Sequence, residues 1–123
     1  MAYPVVSDRK LVDPERVNVL FVCSRNQWRS PTAERMFKRH PVIVARSAGT
    51  SPNARRRISP ADIGWADAIM VMEGKHRDRI VADYARLVEH TMIHVLDIPD
   101  DYKYMDPELI EILEQTVEPL LFA

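Results

Sequence analysis

The chain has 123 residues, 46% of them hydrophobic and 28% charged, with a formal net charge of −1. Those values fit one soluble globular domain and exclude a disordered chain, and the small net charge gives no global reason to expect nucleic acid or an anionic membrane as partner. A single cysteine excludes an intramolecular disulfide and a cysteine metal cage, and no stretch approaches the ~20 apolar residues of a membrane span, so a reducing, cytoplasmic location is expected.

Residues 1–16, with Pro4 and Pro14, read as an irregular N-terminal extension, and residues 17–123 as the domain proper. Residues 17–22 are a short, nearly continuous apolar run rich in branched side chains, the pattern of a buried parallel strand that ends at Cys23. Ser30-Pro31-Thr32-Ala33-Glu34 then opens a helix, with Ser30 as N-cap candidate and Pro31 in the first turn. Ala33, Met36 and Phe37 give it an apolar stripe, while Arg35, Lys38 and Arg39 face water. Pro41 ends this helix, and residues 42–45 read as a second strand running into Ser47-Ala48-Gly49-Thr50. A basic loop over residues 51–57 precedes another helix start at Ser59-Pro60-Ala61-Asp62. Residues 68–72 are a third buried strand, 75–87 helical, 92–96 a fourth strand and 97–105 a loop rich in Pro and Asp. Asp106-Pro107 caps a last helix with Leu109, Ile110, Leu113 and Val117 on one side.

Strands alternating with helices predict an α/β domain with a four-stranded parallel sheet covered by helices on both faces. Ligands bind such sheets beyond the carboxyl ends of the strands. Cys23 and the acidic run Asp97 to Asp101 both fall there, so they can meet although far apart in sequence. Charge is also unevenly placed: residues 25–57 hold nine Lys or Arg and one acid, residues 97–118 eight acids and one Lys. That split suits an anion site approached by carboxylates, or two solvated faces of opposite sign.

Five residues lie between Cys23 and Arg29, enough for a loop whose main-chain N–H groups point inward with a helix N-terminus behind them. Such a nest binds a tetrahedral dianion, and an arginine at its end can grip two oxygens at once. The same inward field favours the ionised thiol, a nucleophile poised beneath a bound phosphoryl group, and the product would be a phosphocysteine. A lone cysteine after an apolar strand is otherwise an inert core residue. The bare C-x5-R pattern is common by chance; strand, C-x5-R-S and helix in that order is far more specific.

The stretch from Cys23 through Ser24, Arg25, Asn26, Gln27, Trp28 and Arg29 to Ser30-Pro31, with Ala33-Glu34, resembles the phosphate loop of the low-molecular-weight protein tyrosine phosphatases. Ser47-Ala48-Gly49-Thr50 is similar to that family's second signature, Asp62 with residues 67–73 to its third strand and the following turn, and residues 97–102 to the general-acid loop of its bacterial members. The resemblance implies a phosphatase of phosphorylated substrates, phosphotyrosine proteins or aryl phosphates, releasing inorganic phosphate without cofactor or metal. It makes Cys23 the nucleophile, Arg29 the phosphate-binding arginine, Ser30 the hydroxyl that stabilises the thiolate, Asn26 the left-handed loop residue and Ser47 its support. Asp100 matches the general acid, with Asp97 as the alternative, and Tyr102 an aromatic at the cleft rim or an ordinary loop aromatic. The rival reading from another class is a phosphate- or phosphopeptide-binding module of the same fold with little turnover; within enzymes, phosphoserine or a small molecule could be the substrate.

Four departures from the family pattern stand out. Arg25 replaces a usual Gly, Trp28 a common second Cys, and Asp101 the usual Pro after the acid. The segment after Thr50 is shortened, which predicts a more open cleft. Trp28 would form an apolar wall at the entrance or pack beneath the loop. The loop is also similar to that of the serine phosphatases acting on the RNA polymerase II tail, whose chains are longer. Arsenate reductases of this fold use further cysteines that this chain lacks. His40, His76, His90 and His94 have no metal-ligand spacing. Arg55-Arg56-Arg57 could attract an acidic or phosphorylated partner or be a solvated basic loop. The sequence carries no signal for oligomeric state.

Overall fold

The computed structural model describes residues 16–122; the extension expected over residues 1–16 therefore lies, apart from Arg16, outside the described residues. Four strands, β1 (Val17–Cys23), β2 (Ile43–Gly49), β3 (Ala68–Val71) and β4 (Met92–Val95), alternate with four helices, α1 (Arg29–Met36), α2 (Pro60–Trp65), α3 (Gly74–Tyr84) and α4 (Pro107–Phe122). All strand pairs are parallel, in the order β2-β1-β3-β4.

Central β1 explains its own composition. From Val19 to Cys23 every residue is buried, because helices lie on both faces and a strand between them has no wet side. Side chains alternate across the sheet. Val19, Phe21 and Cys23 join Ala33, Phe37, Leu109, Leu113 and Val117 on the side of α1 and α4. Leu20 and Val22 join Ile63, Ile80 and Val88 on the side of α2 and α3. Phe21 and Phe37 stack with ring centroids 5.8 Å apart, fixing the end of α1 against the sheet.

Two of the expected caps form as local chemistry dictates. Ser59 accepts from the Asp62 N–H while Asp62 accepts from the Ser59 N–H, a reciprocal capping box ahead of Pro60. Asp106 accepts from the Glu108 N–H at 2.9 Å at the start of α4. The cap expected at Ser30 does not form. The α1 helix begins two residues earlier than a cap at Ser30 would place it, after Trp28 and with no side-chain cap, and the Ser30 hydroxyl is drawn into the loop above it. No helix among the described residues is long and apolar enough to cross a membrane.

Candidate active site

The loop from Cys23 to Arg29 follows β1, at the carboxyl end of the sheet. Its main chain is turned by a strap formed from the end of β2 and the short segment after it. Thr50 N–H donates to Cys23 C=O at 3.0 Å, Ser51 N–H to Ser24 C=O at 2.9 Å and Arg55 N–H to Arg25 C=O at 3.0 Å. Arg55 Nε completes the series on Asn26 C=O at 2.9 Å. A planar trans peptide sends its C=O and the next N–H in opposite directions. Holding the carbonyls of residues 23–26 outward therefore aims the N–H groups of residues 24–27 inward, as an anion nest requires.

Gly49 makes this approach possible. A Cβ there would lie 2.5 Å from the Ser24 carbonyl oxygen and 2.6 Å from the Ala54 Cβ, so the strap could not close on the loop. The shortened segment after Thr50 is thus the loop's support. Asn26 takes φ of 56°, a left-handed conformation Asn tolerates well.

Side chains knit the same loop from beneath. Ser30 Oγ lies 3.0 Å from Cys23 Sγ. Asn26 Nδ2 donates to Ser30 Oγ and to Ser47 Oγ, both at 2.9 Å, and the Ser47 hydroxyl donates to Glu34. Asn26, Ser30 and Ser47 are buried. With both its protons engaged below, Asn26 leaves its Oδ1 buried without a partner among the described residues. Such a group costs on the order of 1–3 kcal/mol, so the loop is held against a penalty.

Arg29 is buried, its side chain 3% exposed. Nη1 donates to Glu73 Oε1 at 2.7 Å and to Ile98 C=O at 2.8 Å. These bonds leave Nε and Nη2 as the donors for an anion, and Asp100 Oδ1 stands 3.6 Å from Nε. Cys23, Ser24, Arg25, Gln27, Trp28, Arg29 and Asp100 line one cavity of about 220 Å³. Trp28 is at its wall, 37% exposed, with the Lys103 ammonium 5.0 Å from its ring centroid.

Two expected residues sit elsewhere. Asp97, at φ 57°, lines a separate surface groove with Glu73, Gly74, Lys75 and Pro99. Tyr102 does not line the cavity; it is half-buried against the core beside α4, which is the ordinary loop role.

The start of α3 supplies two residues that motif reading missed. Burial raises the Glu73 carboxyl, but the hydrogen bond and charge of Arg29, with Lys75 and His76, outweigh it and hold it below the ordinary value. His76 is buried, and its Nδ1 accepts from the Glu73 N–H at 3.0 Å. Its proton therefore sits on Nε2, 2.8 Å from Ser24 Oγ. Burial and then the Arg29 charge push its pKa down to about 4. One helix start thus steadies both ends of the loop. The only sequence signal was position: both follow the strand next to β1.

The comparisons with known proteins agree with this geometry. Residues 18–67 match the family model described as "Low molecular weight phosphotyrosine protein phosphatase". The YwlE arginine phosphatase from Geobacillus stearothermophilus superposes with a TM-score of 0.67 at 22% identity, over 85% of this chain and 93% of that one. The tyrosine phosphatase Wzb from Escherichia coli K30, in complex with phosphate, gives a TM-score of 0.62 at 21% identity, over 81% and 92%. A YwlE arginine phosphatase mutant with a phosphorylated active-site serine gives 0.62 at 20% identity, over 80% and 91%. No curated protein matches the chain significantly. In sequence over residues 18–67, and in its whole parallel-sheet fold, the chain is similar to the low-molecular-weight phosphotyrosine protein phosphatases.

Proposed function

We propose that the protein hydrolyses phosphate monoesters, aryl esters such as phosphotyrosine first, through a phosphocysteine on Cys23. The observation that carries this reading is the strap of Thr50, Ser51 and Arg55 on the carbonyls of residues 23–26, which aims the loop amides at the space above Cys23 Sγ. The amides of residues 24–27, with Nε and Nη2 of Arg29, would take the phosphoryl oxygens and stabilise the charge that builds up in transfer.

Chemistry then follows from position. Cys23 Sγ attacks phosphorus in line, the S–P bond forms and the ester P–O bond breaks. Asp100, at the cavity mouth beside Arg29, gives its proton to the departing oxygen. It then takes a proton from the water that attacks the phosphocysteine, the S–P bond breaks, and inorganic phosphate leaves. In both steps the Ser30 hydroxyl, 3.0 Å from sulfur, donates to the thiolate as nucleophile and as leaving group. The phosphorylated serine in one structural neighbour supports a covalent step at the nucleophile position.

The test is kinetic. The purified protein should hydrolyse a small aryl phosphate near pH 6 with a chelator present. Cys23→Ser should lower turnover by at least ~10³-fold while retaining phosphate affinity. Equal rates for the two proteins would remove Cys23 from the chemistry, and no turnover by the unmutated protein would leave a phosphate-binding module.

A further inference from the structure

A cavity of about 570 Å³ adjoins the catalytic one along the edge of the sheet. Gln27 lines both, so its side chain stands between the two. Arg16, Arg35, Lys38 and Arg55 bring four cations to the larger cavity, against one carboxylate, Glu34, which accepts the Ser47 hydroxyl proton. Several other cations are paired: Arg46 and Arg56 meet Asp62, Arg79 meets Asp83, and Arg77 meets Asp78. Arg39, Arg57 and Arg86, like the cations of this cavity, meet no acid among the described residues, but they are not gathered around one cavity. Arg16, Arg35 and Lys38 have no acidic partner among the described residues. An anionic ligand would relieve this crowding of like charge.

Shape points the same way. The cavity is walled by Ile43, Val44 and Ala45 in succession. Side chains alternate along a strand, so three residues in a row bring main chain to the wall. Among the described residues this strand is the sheet's outer edge on that side, and such an edge favours an extended segment laid alongside it. Arg55, which lines the larger cavity, also holds Asn26 C=O in the loop above Cys23 through its Nε.

We infer that this basic cleft binds the acidic segment flanking the phosphorylated residue of a protein substrate, so that the preferred substrate is a phosphoprotein with Asp or Glu next to its phosphate. The inference rests on the phosphatase reading and gives that site its substrate class. With the phosphate in the cradle, the adjoining chain passes over Gln27 and meets Arg35 on the exposed side of α1 and Lys38 in the turn that follows it.

Three substrates separate this idea from its foundation: an aryl phosphate, a phosphopeptide with acidic flanks, and the same phosphopeptide with neutral flanks. The acidic peptide should show a KM about tenfold below the neutral one at low salt, the gap closing as ionic strength rises. In the Arg35→Glu/Lys38→Glu protein, and more mildly in its double-alanine version, the gap should vanish while kcat and aryl phosphate hydrolysis stay unchanged. Equal KM values for the two peptides, or a preference that survives both variants, would overturn the inference while leaving the phosphatase standing. Loss of aryl phosphate turnover in the unmutated protein would instead strike the phosphatase reading. In that case fluorescence binding of the two phosphopeptides to the Cys23→Ser protein still reads the cleft. A single-stranded oligonucleotide that competes better than the acidic peptide would also overturn it.

Discussion

Two loops meet over the carboxyl end of the sheet, and they are built differently. In residues 23–29 the carbonyls of four successive residues are held, three by main-chain N–H groups and one by a guanidinium, and Asn26 and Arg29 are buried. In residues 97–101 only Ile98 is buried; its N–H donates to Met72 C=O at 2.8 Å and its carbonyl accepts from Arg29. Asp97, Pro99, Asp100 and Asp101 are exposed around that one anchor. A cradle for a developing charge has to be fixed before the reaction, because reorganising dipoles during transfer would forfeit their stabilisation. A proton donor has only to reach the leaving oxygen, and a single anchored residue suffices.

The contrast can be broken first at the pliant loop, where the expected effect is largest. Asp100→Asn removes the proposed proton donor yet leaves the cradle intact. Turnover of substrates with poor leaving groups should fall roughly 10²–10⁴-fold, and that of an activated aryl ester much less. Asp97→Asn, in its separate groove, should leave the rate near that of the unmutated protein. A greater loss from Asp97→Asn than from Asp100→Asn would move the acid along the loop and undo the assignment made from the cavity.

The rigid loop is tested from behind. Gly49→Ala puts a methyl against the Ser24 carbonyl and the Ala54 side chain, so strap and loop must part. Overpacking of this kind costs up to about 3 kcal/mol. The same separation frees the carbonyls of residues 23–26, so phosphate affinity and turnover should fall together with the urea midpoint. Unchanged phosphate affinity in a destabilised variant would show that the cradle keeps its shape without the strap.

The sequence made legible whatever depended on local chemistry. The apolar run before Cys23 reads as a strand buried on both faces, and it is one; the spacing to Arg29 with a helix behind reads as an anion loop, and the segment turns its carbonyls outward as that reading expects. Ser30 was misplaced for an instructive reason. A serine ahead of Pro satisfies the N-cap rule, but Cys23 and Asn26 claim its hydroxyl, and tertiary demand outweighs a cap worth about 1 kcal/mol. The strap of Ser51 and Arg55 was invisible because main-chain hydrogen bonds leave almost no side-chain signature; only the glycine at 49 hinted at close approach. Glu73 and His76 escaped because their partners, Arg29 and Ser24, lie 44 and 52 residues away in the chain. A lone histidine opening a helix carries no pattern that names a contact at that distance.

His76 gives the smallest of these effects and the finest probe of how the rigid loop is held. Its folded-state pKa of about 4 lies below its ordinary 6.5, so the native protein keeps the ring neutral where the unfolded chain protonates it. Stability therefore falls as pH drops below 6.5, by about 2 kcal/mol on reaching pH 5, and falls further until the native ring itself titrates. His76→Gln retains an amide to donate to Ser24 but has no charge to acquire. Carboxylates contribute equally to both proteins, so the urea midpoints of variant and unmutated protein, compared at successive pH values, should converge as pH falls from 7 to 5. Parallel curves would mean that His76 accepts its proton without cost. The bonds from Glu73 N–H and to Ser24 Oγ would then not hold the start of α3 against the phosphate loop.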